Sequence, residues 1–316
     1  MGKIYTALLF TFLLAKCSHA QSSSLRDQEF IINPYSISPA YSGFNTNHEI
    51  FVNYINHFSG TKGAPYSAWA NYNGIVKSNL GLGASLRFEK FGAFRNIRVD
   101  VSTAYHLKIG ADQKVSVGIG VSVTQTNLDF NNSNSDPIND PSLNSDNVKN
   151  GMGINASFGI SYAWRKLNIG IAAPAIIPMK MNGKSILYSQ PIHARVYAAY
   201  EMMINRKFAV KPAFVLDYIL HSPINYNAVI TVKYDNLLFV NVGFGAQNIF
   251  SGGVGVIIAQ RFTGQYTFKY GLNGIANSTY GSHEICIGIL VGKIKNATTS
   301  NSIFGKKNKS PYHDWE

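Results

Sequence analysis

The chain has 316 residues, a formal net charge of +12 and only 14% charged residues. No apolar run reaches the ~18 residues that a membrane-spanning helix needs, so composition and hydropathy exclude a helical membrane protein. The length suffices for two ordinary domains or for one large barrel.

Residues 1–20 have the features of a secretory signal peptide. A short basic start precedes an apolar core at Ile4–Ala15, and Ser18-His19-Ala20 supplies small residues where signal peptidase cleaves. Cys17 also fits a lipoprotein, although a lysine precedes it where a small residue is expected. We predict cleavage after Ala20. The protein is then exported, which argues against a nucleic-acid partner.

Residues 21–47 are predicted to form an extended N-terminal segment. Asn33-Pro34 and Ser38-Pro39 interrupt this part of the chain, and proline lacks the N–H that a strand ladder needs. The segment leads into the strands that follow or, where those strands close into a barrel, folds back into its mouth.

Residues 48–291 show a period of two. In Lys114–Thr124, KVSVGIGVSVT, valine or isoleucine occupies every second position, and serine, glycine or threonine fills the gaps. The same alternation recurs in 97–109 and 152–164. A period of two predicts strands, and a small, polar face opposite an apolar face through many strands indicates a transmembrane β-barrel.

The predicted connections support this fold. Every second connection is a tight turn, and the intervening set includes the two longest, 130–150 and 174–190. Short periplasmic turns and longer extracellular loops are typical of outer-membrane barrels. We therefore predict an all-β, antiparallel transmembrane β-barrel of about fourteen strands at 48–291 in the outer membrane. Residues 21–47 and a basic C-terminal tail at 292–316 would lie on the periplasmic side.

Charged residues of both signs fall at inward positions of the predicted strands. Inside a barrel they pair across the lumen and close it, or they line a wet channel, and paired charges that fill the interior are the favoured interpretation. The predicted lumen charges are Arg87, Glu89, Arg98, Asp100, Arg195, Glu201, Lys211, Asp217, Lys233 and Lys269.

No catalytic site can be assembled from the sequence. The histidines are scattered, without the His-Glu-x-x-His pair of zinc enzymes. Glycine pairs such as Gly118-Ile119-Gly120 lie inside predicted strands with no helix after them, unlike a nucleotide-binding loop. The aspartates of loop 130–150 do not match the spacing of a calcium loop. We predict a protein that is not an enzyme and has no cofactor, metal site or small-molecule substrate.

Two motifs stand out near the predicted mature start, Asn33-Pro34-Tyr35 and Pro39-Ala40-Tyr41-Ser42-Gly43. Together they resemble the Asn-Pro-Ala-Tyr-Ala-Gly signature of the PorP/SprF family, with Ser42 replacing an alanine. Gly63-Ala64-Pro65 resembles the Gly-Ala-Pro segment that follows in that family. The likeness spans most of residues 28–291.

The resemblance implies an outer-membrane barrel of the type IX secretion system of Bacteroidetes. Family members support secretion or cell-surface attachment of partner proteins with a C-terminal sorting domain, including gliding adhesins. They also associate with periplasmic components of the machinery. Loops 130–150 and 174–190 would contact the exported partner. Periodicity alone leaves an alternative open, an outer-membrane porin or small-solute channel.

Overall fold

The computed structural model describes residues 27–45, 48–128, 150–177, 192–272 and 279–291. The predicted signal peptide, most of loops 130–150 and 174–190, and the tail 292–316 lie outside the described residues.

In the described residues, fourteen antiparallel strands form one closed barrel, which confirms the predicted fold class. Each strand pairs with its neighbours in the chain, and the last strand pairs with the first from His48↔Val291 to Asn56↔His283. The strands are β1 (His48–Asn56), β2 (Tyr66–Lys77), β3 (Leu80–Phe91), β4 (Phe94–Gly110), β5 (Gln113–Leu128), β6 (Asn150–Trp164), β7 (Leu167–Ala175), β8 (His193–Tyr200, continued by Met202–Met203), β9 (Phe208–Ile219), β10 (Asn225–Tyr234), β11 (Leu238–Gly245), β12 (Ile249–Ile258), β13 (Phe262–Gly271) and β14 (Ser282–Val291).

The alternation of β5 shows why these residues form a barrel wall. Ile119 and Val121 are 58% and 57% exposed on the outer surface, whereas Ser116 is 0% exposed on the lumen side. Branched apolar side chains therefore cover the outside, and small polar ones leave space inside. No helix among the described residues is long and apolar enough to cross a membrane.

The barrel has two distinct ends. We call the end where β1 begins and β14 finishes the turn rim, because its six connections are short, at 78–79, 111–112, 165–166, 204–207, 235–237 and 259–261. The opposite end, the loop rim, carries the longest connections. The prediction that short turns and long loops lie at opposite ends holds only in part, because the links at 92–93 and 246–248 on the loop rim are also short.

The described part of the N-terminal segment is not extended, and of the two predicted arrangements it follows the one that folds back into the barrel. Residues 27–45 lie inside the barrel and contain three short 3-10 helices, at Gln28–Ile31, Pro34–Ile37 and Pro39–Tyr41. Each proline begins a helix, where its missing N–H costs nothing. Apolar side chains such as Phe30 are buried in the lumen, so burial of apolar surface favours this folded state over an extended one. We call residues 27–45 the plug.

Candidate functional site: the plugged lumen

The plug runs along the height of the barrel. At its start, Gln28 Nε2 donates to Ser251 Oγ at 2.7 Å, and Ser251 is the third residue of β12 from the loop rim. At its end, Lys114 Nζ donates to the Phe44 carbonyl oxygen at 2.5 Å, and Lys114 is the second residue of β5 from the turn rim. The segment therefore enters β1 at the turn rim and has its earlier residues near the loop rim.

Most of the motif residues belong to the plug. Asn33 is buried and donates to Glu29 Oε1 at 2.5 Å and to Asn71 Oδ1 at 3.0 Å. The Tyr41 hydroxyl donates to Asn168 Oδ1 at 2.8 Å. Pro34 and Pro39 begin the second and third 3-10 helices, and Ala40 is fully buried. The first part of the family signature therefore specifies how the plug packs.

Glycines in the barrel wall let the plug backbone approach closely. A Cβ on Gly81 would lie 1.9 Å from the Ser42 carbonyl oxygen, and one on Gly118 would lie 2.4 Å from the Ala40 nitrogen. Within the plug, Gly43 has φ +65°, and an added Cβ would lie 2.6 Å from the Gly74 carbonyl oxygen. Only glycine suits that backbone conformation and that space together.

The second motif lies away from the plug. Gly63, Ala64 and Pro65 belong to the connection between β1 and β2 at the loop rim. Gly63 has φ +75°, and the Pro65 carbonyl oxygen accepts from the His57 N–H at 2.8 Å. These residues shape a loop turn and do not join the lumen cluster.

A buried carboxylate, Glu29, holds the first half of the plug to the wall. Its oxygens accept from Asn33, from Asn71 Nδ2 at 2.9 Å and from the Trp69 indole N–H.

A second buried carboxylate, Glu284, binds the plug backbone. Its oxygens accept from the Gln28 N–H at 2.9 Å and from the Glu29 N–H at 3.0 Å. Lys269 Nζ lies 2.8 Å from the same carboxylate, and both side chains are buried. Because charge-assisted bonds to a buried group are strong, this site fixes the start of the plug.

Among the predicted lumen charges, a group on β8–β10 is buried and contacts its neighbours or the plug. Arg195 lies 2.6 Å from Asp217 and donates to the Ile37 carbonyl oxygen at 2.8 Å. Lys233 lies 2.5 Å from Glu201. Lys211 Nζ donates to the plug at Ile31, 3.5 Å away.

The remaining predicted charges lie toward the loop rim and are partly exposed. Arg87 lies 3.6 Å from Asp27 of the plug and 3.5 Å from Glu89, with its guanidinium over the Trp69 ring. Arg98 pairs with Asp100 at 2.7 Å. Pairing of opposite charges, rather than a row of one sign, characterises both ends of the lumen.

Sequence reasoning missed three residues of this site. Glu284 is absent from the predicted lumen charges, although the alternation of buried and exposed residues in β14 gives it an inward position and could have identified it. For Glu29 the sequence offers a weaker indication of burial, which is that this acidic residue directly precedes the apolar Phe30. Lys114, the third, begins the stretch that first indicates a strand. The described residues contain no cluster of three potential metal ligands.

The fold is similar to that of solved outer-membrane channels. The CymD monoaromatic hydrocarbon channel aligns with a TM-score of 0.51 and 12% identity over 84% of this chain and 92% of that chain. The toluene transporter TbuX of Ralstonia pickettii aligns with a TM-score of 0.49 and 13% identity over 81% and 92% of the two chains. At such low identity the likeness shows the fold alone. No curated protein matches the sequence.

The fold alone does not identify the family of this chain, but a comparison with family models does. The model of the type IX secretion system membrane protein PorP/SprF matches residues 19–289, which include the plug and the whole barrel except its last two residues. The resemblance noted from the proline motifs is thereby confirmed. This chain belongs to the PorP/SprF family, and it is an outer-membrane β-barrel of the type IX secretion system.

Proposed function

We propose that this protein is a closed, non-enzymatic barrel that binds a partner protein carrying a C-terminal sorting domain. It supports secretion of that partner or its attachment to the cell surface, as in gliding adhesins. The single observation that carries the proposal beyond family membership is the plug. A barrel whose lumen is occupied by its own buried, hydrogen-bonded segment is suited to binding at its rims rather than to passing solutes.

The anchoring of the plug supports a permanent closure. Glu29 and Glu284 are both buried and hold the plug through side-chain and backbone donors. Removing a partner from a buried charge costs several kcal/mol, of order 3–5. Such an arrangement resists spontaneous opening. The alternative function, a porin or small-solute channel, requires the plug to leave the lumen, and these anchors oppose that.

The proposal assigns the two rims to different partners. The chain is exported by a cleaved signal peptide at residues 1–20. Contact with the secreted partner, outside the cell, is assigned to loops 130–150 and 174–190, which connect β5 to β6 and β7 to β8 at the loop rim. The turn rim and the tail 292–316 face the periplasm and its secretion components.

The test is surface display in the host. Deleting the gene should abolish surface display of at least one sorting-domain substrate, and the full chain should restore it. A chain in which residues 131–148 are replaced by a short glycine-serine link should reach the outer membrane without restoring display. A matched variant in which residues 273–278, in a loop-rim connection to which the proposal assigns no partner, are replaced by the same kind of link controls for general effects of altering a loop. Intact display of every such substrate in the deletion strain would contradict the proposal.

A further inference from the structure

The exposed charges of the described residues are concentrated at the turn rim. Of the six turns, five have an exposed lysine or arginine in the turn or at the end of an adjoining strand, and these are Lys77, Lys108, Arg165, Arg206, Lys207 and Arg261. Among the described residues, the one exposed acid at this rim is Asp112, which lies 3.5 Å from Arg165. At the loop rim, Lys62 is the one exposed lysine, arginine or acidic residue among those described.

Exposed aromatic residues lie directly beside these cations. Trp164, Phe208 and Phe262 are 45%, 41% and 47% exposed at the turn-rim ends of their strands. Each is adjacent in sequence to an exposed cation, and the Arg165 guanidinium lies 5.8 Å from the Trp164 ring centroid. Aromatic residues at strand ends mark the membrane interface, so the cations lie at the depth of lipid headgroups.

The arrangement around the barrel identifies the partner. The cations recur at β2–β3, β4–β5, β6–β7, β8–β9 and β12–β13, and so surround most of the circumference. A protein docked on one side would meet only part of such a ring, whereas a lipid leaflet meets all of it. We infer that the turn rim binds the phosphate headgroups of anionic phospholipids and so anchors this end of the barrel in its leaflet.

Trp164 provides a reporter at the proposed site. Trp69 is buried in the lumen, and Trp315 can be replaced by phenylalanine, so fluorescence quenching at an exposed tryptophan comes from Trp164. The full chain is reconstituted in vesicles that contain brominated phosphatidylglycerol or brominated phosphatidylcholine. A titration of the brominated fraction gives the association of each lipid at this rim.

Phosphatidylglycerol should associate about fivefold more strongly than phosphatidylcholine. The preference should shrink when salt is raised to about 0.5 M, since exposed charges are then screened. Arg165→Gln should reduce it, and Lys62→Gln, at the other rim, should leave it unchanged. No preference in the parent chain, or the same preference at high salt and in Arg165→Gln, overturns the inference and favours an acidic protein as the occupant. The vesicles contain no secretion component, so the outcome is independent of the proposed partner.

Discussion

Replacing Gly81 by alanine should release the plug without changing any residue of the plug itself. The added Cβ would lie 1.9 Å from the Ser42 carbonyl oxygen, 2.6 Å from the Ser42 carbonyl carbon and 3.0 Å from the Gly43 Cα. All three are backbone atoms, so no flexible side chain can yield, and the plug itself must move. Overpacking of this kind costs about 1–3 kcal/mol, which lowers the ratio of docked to released plug by roughly five- to 150-fold.

Single-channel conductance in planar bilayers measures this change. The parent chain should be closed nearly all the time, and Gly81→Ala should open more often. Gly252→Ala is the matched control, because it adds the same methyl group to a strand glycine with no atom within 4 Å of the new Cβ. It should behave like the parent. Equal conductance of Gly81→Ala and the parent, with both folded, would refute the argument that the wall glycines hold the plug in place.

Two further predictions concern the plug and the lumen. An epitope inserted before Asp27 should be labelled on intact cells, because the plug starts near the loop rim; labelling only after the outer membrane is permeabilised would reverse the orientation. Lys233→Met should destabilise the barrel by about 3 kcal/mol, since it leaves Glu201 buried without its closest cation. Denaturant unfolding should show that adding Glu201→Gln recovers most of this loss, and an equal loss in single and double variants would exclude the ion pair as its cause.

The barrel wall was predictable because its signal is local. In β5, valine or isoleucine occupies every second position, and that spacing alone predicts which face of the strand contacts lipid. A charge such as Lys233 could be placed inside by the same rule. Its partner Glu201 could not be identified, because pairing depends on which strands are neighbours and where β8 is interrupted. The pairing stops between Ala213↔Ala199 and Val210↔Met202, a gap that contains Pro212, which has no N–H for the ladder.

The plug was not predictable from local signals. Pro34 and Pro39 correctly excluded a strand, but the same prolines suit either an extended segment or short 3-10 helices. Contacts between residues far apart in sequence decide the outcome, such as Ser42 against Gly81 and Pro39 against Gly118. The period-two pattern explains Gly81 and Gly118 as small lumen-facing residues, and nothing in it indicates what fills the space.

Affinity purification of the tagged chain from detergent-solubilised outer membranes of its own host tests the central claim most directly. If the barrel is a closed binding partner, a surface protein with a C-terminal sorting domain or a periplasmic type IX secretion component should co-purify, and the purified barrel should show no steady conductance. Recovery of the barrel alone, with clear single-channel conductance, would contradict the account and identify the protein as a channel.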